Sequence, residues 1–250
     1  MLAIIGGTGL ASEDTFNLDR KESISTIYGK PSSDLLFGSF CTEKQLPSPI
    51  VFLSRHGFKH NIPPHKVNYR ANIQALKEAG VNRIIAVNAV GGISEKMAPG
   101  CIVLPHQLID YSYGREHTFF AENLEQVTHI DFTNPYTPWL IKIIIAAADN
   151  IKLDIEKNAT YACTQGPRLE TSAEIQRLLR DGCDIVGMTG MPEAALAREI
   201  GIDYASISFV ANWGAGLSSD EISMTEIEAT IKQGMDKIKA LLVHSALLMK

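Results

Sequence analysis

A single α/β domain is what this sequence predicts, and three observations predict it. Strand-like and helix-like segments alternate along the chain, no repeat, charge block or linker divides it, and its 250 residues are 45% hydrophobic and 20% charged. That length suits one large core spanning residues 1–250 and is short for two. The composition excludes disorder, collagen and coiled coil.

The elements follow in order. Residues 2–9, LAIIGGTG, read as a buried strand entering a glycine turn, and residues 50–53 as a strand ending at Ser54-Arg55-His56-Gly57. The helical spacing of Val67, Ala71, Ala75 and Leu76 predicts a helix over 66–79, stopped by Gly80. RIIAVNAVGG is the next strand, delivering its carboxyl end to Gly91-Gly92. Thr137-Pro138 predicts an N-cap and first residue for a helix through Ala148, and Thr171 with Glu174 has capping-box spacing before EIQRLLRDG. CDIVGM reads as a short strand, Pro192 opens the helix EAALAREI that Gly201 stops, and IDYASISFVAN is a further strand. Ser223 with Glu226 caps a long amphipathic C-terminal helix. In open α/β sheets ligands bind beyond the carboxyl ends of the strands, so chemistry is expected in the polar and glycine-rich loops there.

Several function classes are excluded. The net charge of −5 comes from 23 basic and 28 acidic residues mixed throughout, which leaves no patch to track a phosphate backbone, so nucleic acid is not an expected partner. The longest apolar run, 143–148, is too short for a bilayer, and MLAIIGGTGL has no basic n-region, so no membrane partner and a cytoplasmic location are expected. Cys41, Cys101, Cys163 and Cys183 form no CxxC pair and read as buried thiols. His56 and His60 would share a face only on a helix, and Gly57 and Pro63-Pro64 make that segment a loop, so no metal is expected.

An anion is better matched. Gly6-Gly7-Thr8-Gly9 fails the dinucleotide fingerprint because position 11 is Ala11, and it fits either a tight turn or a backbone cradle to which the Thr8 hydroxyl adds a donor. Arg55 beside His56 suits a phosphate, whereas His65 and His106 read as structural or surface histidines. Glu170, just before the Thr171 N-cap, either accepts hydrogen bonds from a ligand or stabilises the helix dipole. Thr189 stands at another strand-to-helix junction suited to anions. No G-x-S-x-G elbow or Cys/His pattern supports a covalent hydrolase.

Six ordered motifs run from residue 4 to 208: IIGGTGL, SRHGFKHNIPPHKVNYRANIQALKEAG, VNAVGGI, PGCIVLPHQLID, QGPRLETSAE and VGMTGMPEAALAREIGIDYASIS. Together they resemble the trimeric purine nucleoside phosphorylase superfamily, most closely its methylthioadenosine phosphorylase branch. The resemblance implies a nucleoside phosphorylase fold with a central mixed β-sheet flanked by helices, a homotrimer, and phosphorolysis of a purine nucleoside with inorganic phosphate as co-substrate and no cofactor. It implies a phosphate cradle of Thr8, Arg55, His56, the backbone around Ala89, and Thr189. It places Met188 under the ribose, Leu169 beside Glu170 in the substrate site, and His129 in a neighbouring subunit's site.

Departures from that branch bear on the substrate. Its motif TDxD after YASIS is replaced by Ala211-Asn212-Trp213-Gly214, and Glu170 stands where the adenosine-type branch has serine and the 6-oxopurine phosphorylases have the Glu of GPxFET. A carboxylate accepts from the N1–H of hypoxanthine or guanine and repels the N1 lone pair of adenine. Asn212 can donate to O6 and accept from a protonated N7, although an amide by itself can flip. Met224 replaces the histidine that meets the ribose 5′-hydroxyl, and it is either core or an apolar contact for a 5′-methylthio group. Glu170 and Asn212 are thus the expected catalytic pair, acting on S-methyl-5′-thioinosine to release hypoxanthine and 5-methylthioribose 1-phosphate. The alternatives are methylthioadenosine or a 6-oxopurine nucleoside as substrate, a nucleosidase using water, and a non-catalytic nucleoside-binding protein.

Overall fold

The centre of the molecule is β1 (Leu2–Gly6), every residue of which is buried because parallel neighbours flank it on both sides, β4 (Pro49–Ser54) and β5 (Arg83–Gly92). The computed structural model describes residues 1–7, 10, 16–40, 49–122, 124–218 and 222–249. Beyond β4 the sheet continues through two antiparallel strands, β3 (Leu35–Phe40) and the edge strand β2 (Phe16–Glu22).

On the other side the sheet closes on itself. β5 pairs with β8 (Ile185–Gly187), β8 with β7 (Glu156–Cys163), β7 with β6 (Ile102–Asp110), β6 with β9 (Asp203–Trp213), and β9 returns to β5. The interior of this ring is filled by Val90, Val103, Tyr161, Ile185 and Val210, among others.

Five helices cover the described sheet. α2 (Pro138–Asn150) and α5 (Met224–Leu248) bury Leu140, Ile144, Ile238 and Leu241 against one face of β1, β4, β5 and β9. α1 (Tyr69–Glu78) and α4 (Glu193–Glu199) bury Ile73, Leu76, Leu196 and Ala197 against the opposite face. α3 (Ser172–Arg180) packs Ile175 and Leu178 on Ala162 and Val186, outside the ring.

The mixed sheet flanked by helices is as the sequence predicts; strict alternation is not. Among the described residues β2 and β3 follow β1 with no helix between them, and β6 and β7 were not anticipated. β2 is an edge strand whose interior residues 17–21 are exposed, so it has no buried face to write an apolar alternation into its sequence. α1 begins at Tyr69, capped by Asn68 accepting from the Ala71 N–H at 3.0 Å, after a separate 3-10 turn at Pro64–Lys66.

The Thr171–Glu174 capping box forms in full. Thr137 does not cap α2, because its hydroxyl accepts from the Tyr204 N–H at 3.0 Å and is committed to β9. Ser223 makes no side-chain cap on α5 either.

Candidate active site

Three strands running in parallel bring their carboxyl ends together, and Arg55, the first residue after β4, donates its backbone N–H to Gly6 at the end of β1 at 3.1 Å. The Arg55 side chain is 2% exposed. Its Nε and Nη2 donate to the two carboxylate oxygens of Glu193 at 2.7 and 2.8 Å, and Nη1 donates to Val87 O at 3.0 Å. Glu193, fully buried at the start of α4, also accepts from the Tyr204 hydroxyl at 2.9 Å. Burial works against the guanidinium's charge, but Glu193 outweighs it and the net pKa is raised, so Arg55 is a fixed cation. Two of its five N–H protons remain for an anion.

His56 is half-buried, with Nδ1 2.8 Å from Ile62 O, so Nδ1 carries the proton and donates. Burial, then the Arg55 charge, lower its pKa from 6.5 to about 4. The ring is therefore neutral at pH 7 and presents an acceptor at Nε2, a role that a protonated phosphate oxygen can meet. Beside the Arg55 cation, His56 is thus a hydrogen-bonding group and not a second charge.

Along the otherwise buried second half of β5, Ala89 alone is exposed, which marks where the strand opens toward the site. Asn88, beside it and 4% exposed, donates from Nδ2 to Ser206 Oγ at 2.7 Å, and its Oδ1 accepts from Thr189 Oγ1 at 2.9 Å. Thr189 in turn donates its backbone N–H to the Tyr161 hydroxyl at 3.3 Å. In this arrangement the Thr189 hydroxyl proton is held by Asn88. A phosphate can receive it once the Asn88 amide turns to donate instead, a turn that Ser206 can follow because a hydroxyl donates or accepts.

The site thus lies partway along β5 and not beyond its end. β5 continues into the ring, where antiparallel β8 pairs with Gly91 and Gly92 and returns Thr189 to the level of Asn88.

The other half of the site follows β7 and β9. Glu170 is half-buried, and its Oε1 accepts from the Thr164 hydroxyl at 2.7 Å, which leaves Oε2 for a ligand. Leu169 is 39% exposed beside it. Met188 is half-buried and lies against Gly166, whose φ of +63° and lack of Cβ both matter, since a Cβ there would strike the Met188 sulfur.

Asn212 owes its placement to a register shift, for Val90 pairs with Val210 but Gly91 with Asn212, so Ala211 is the extra residue of a bulge. Its Nδ2 donates to Trp213 O at 2.7 Å. A flipped amide would set Oδ1 against that carbonyl, so the bond fixes the orientation that the sequence left open. The turn after β9 packs against the start of α3, where a Cβ on Gly216 would strike Ser172 and one on Gly214 would meet Ile175 at 3.0 Å. The elements carrying Asn212 and Glu170 are therefore neighbours.

The remaining candidates fall outside this cluster or outside the description. Thr8 lies outside the described residues. His129 is exposed within a stretch, 121–129, whose described residues are all exposed. Met224, at the first turn of α5, is 61% exposed and is not core. Among the described residues no group of three or more His, Cys, Asp or Glu is arranged to hold a metal ion. Cys163 is buried, and burial pushes its thiol up to about 12, which makes it inert. Glu193, Tyr204, Asn88, Ser206 and Thr164 were not singled out from sequence. Glu193 carries no local signal of its role, since its partner Arg55 is 138 residues away.

A mixed sheet that closes into a ring and is flanked by helices is the nucleoside phosphorylase fold. The chain belongs to the phosphorylase superfamily, whose family pattern matches residues 2–246. A Pseudomonas syringae protein named probable S-methyl-5′-thioinosine phosphorylase is 52% identical over 97% of this chain and 96% of its own length. The 6-oxopurine nucleoside phosphorylase of Pyrococcus furiosus is 42% identical over 100% of this chain and 93% of its own. Methylthioadenosine phosphorylase from Schistosoma mansoni, solved with adenine, superposes with a TM-score of 0.90 at 31% identity, covering 99% of this chain and 91% of that one.

Proposed function

We propose that the protein cleaves S-methyl-5′-thioinosine with inorganic phosphate, yielding hypoxanthine and 5-methylthioribose 1-phosphate. The observation that carries this reading is that two neighbouring elements carry Glu170, whose bond from Thr164 leaves Oε2 free, and Asn212, whose amide the Trp213 carbonyl orients. Oε2 of Glu170 accepts from the N1–H of a 6-oxopurine. Asn212 offers its second Nδ2 proton to O6 and its Oδ1 to a protonated N7. Adenine supplies a lone pair at N1 and is repelled, and an unpaired polar contact in a buried site discriminates by orders of magnitude. The Pseudomonas syringae relative, whose name specifies the same substrate, supports the reading.

A phosphate oxygen held by Arg55, His56, Thr8, the backbone at Ala89 and Thr189 attacks the anomeric carbon as the bond to N9 breaks. The electron pair passes to the purine, where Asn212 favours protonation at N7. Met188 lies under the ribose. The exposure of the described residues of 121–129 suits a homotrimer in which His129 enters the next protomer's site, and a cytoplasmic location fits the reading.

Exposure of Met224 favours a second reading, that of a 6-oxopurine nucleoside phosphorylase, because a side chain that open in the protomer encloses no methylthio group by itself. Phosphate-dependent turnover of methylthioinosine and of inosine separates the possibilities. Turnover undiminished without phosphate would make the protein a nucleosidase. A higher kcat/KM for inosine would remove the role given to Met224, and no turnover of any purine nucleoside would reduce the protein to a binder.

A further inference from the structure

Arg115 lies in the irregular stretch after β6 and is only 8% exposed, yet its hydrogen bonds run to carbonyl and amide oxygens and, at 3.4 Å from Nη1, to the Tyr69 hydroxyl, and not to a carboxylate. Nε donates to Gln165 Oε1 at 3.1 Å. Nη1 donates to Met188 O at 2.9 Å and Met191 O at 2.5 Å. Nη2 donates to Thr164 O at 3.1 Å and Gln165 O at 2.9 Å. A guanidinium has five N–H groups, so each has an acceptor within the protein. That satisfaction makes a buried charge tolerable without a counter-ion.

The carbonyl and amide acceptors belong to two loops. Residues 164–171 join β7 to α3 and carry Thr164 and Glu170, the base end of the site. Residues 188–192 join β8 to α4 and carry Met188 and Thr189, the ribose and phosphate end. Each η nitrogen serves one loop, so the width of a single planar fork sets the distance between them. A lysine has three donors on one atom and cannot span both loops in this way.

We infer that Arg115 is a positioning residue that fixes the spacing between the bound phosphate and the bound nucleoside. The inference rests on the phosphorolysis reading above. In-line attack needs reacting atoms about 3–3.5 Å apart, and a misplacement of about 1 Å costs on the order of 100-fold in rate. A residue that merely supported one loop would raise the KM of one substrate. A residue that sets the gap between two bound substrates lowers kcat while leaving both ligands able to bind.

The test is steady-state phosphorolysis by Arg115→Lys, with KM measured separately for phosphate and nucleoside and folding checked by thermal melting. The expected result is a kcat lower by about 100-fold with each KM within about threefold of wild type. A folded variant with wild-type kcat, or with a rise in only one KM, overturns the inference. If Arg115→Lys does not fold, Gln165→Leu keeps the guanidinium and removes the Oε1 acceptor that Nε shares with the Tyr113 N–H. It should lower kcat by about five- to tenfold, and an unchanged kcat overturns the inference equally. Absence of phosphorolysis by the wild-type enzyme would overturn the functional reading itself, a result separate from any difference between variant and wild type.

Discussion

The two ends of the site are built differently. At the phosphate end Arg55, Glu193, Tyr204, Asn88 and Ser206 are all buried, and each has its polar atoms engaged across β4, β5, β9 and α4. At the base end Glu170 and Asn212 are half-buried, Leu169 and Met224 are exposed, and each polar side chain is oriented by a single near neighbour, Thr164 or Trp213. A buried network cannot be altered at one member without stranding the others, whereas a rim side chain held by one bond can be exchanged. In the proposed reaction the phosphate chemistry rests on the network and the choice of purine on the rim.

Glu193→Ala breaks this contrast from the buried side. It leaves the Arg55 guanidinium uncompensated in the interior and should destabilise the protein by about 3–5 kcal/mol, measured by urea unfolding. Rim substitutions should leave stability nearly unchanged. The double change Glu170→Ser with Asn212→Asp should shift the ratio of kcat/KM toward methylthioadenosine by about 100-fold, with melting temperature preserved.

Next in size is Asn88→Asp, which can only accept and so locks the Thr189 proton away from phosphate while adding negative charge. The KM for phosphate should rise about tenfold or more, and further than in Asn88→Ala, which frees that proton. An Asp variant that binds phosphate as well as the Ala variant would remove the turning-amide account.

A further effect concerns pH. His56 binds a proton less readily folded, at about 4, than its ordinary 6.5, so its stabilising contribution is complete above pH 6.5 and is lost as pH falls toward 4. His56→Asn should flatten the stability profile across that window. An unchanged slope would show that another group titrates there.

The same contrast decides what was legible in the sequence. The Thr171 capping box stands in a short contiguous segment whose signal is local, and it was readable; Glu170 was a local candidate beside it, and Asn212 was singled out only through the resemblance, as a departure from the motif TDxD. Also readable were β1, β4 and β9, whose apolar runs are buried on both faces. β7, EKNATYAC, begins with half-buried and exposed polar residues and has no such run. Closure of the ring depends on the antiparallel meeting of β5 with β8, a pairing between residues far apart in the chain. The Arg55–Glu193 pair and the Arg115 clamp depend on the same long-range geometry, so neither partner signals the other locally. Thr137 shows the converse, a correct local signal overridden when β9 claimed its hydroxyl.

The central claim is that the rim selects a 6-oxopurine, and the most direct measurement is wild-type kcat/KM for S-methyl-5′-thioinosine against methylthioadenosine at saturating phosphate. These two nucleosides share the 5′ group and the ribose and differ only at the 6-position and N1. The account predicts a preference for methylthioinosine of about 100-fold or more. Equal values, or a preference for methylthioadenosine, would contradict the roles given to Glu170 and Asn212.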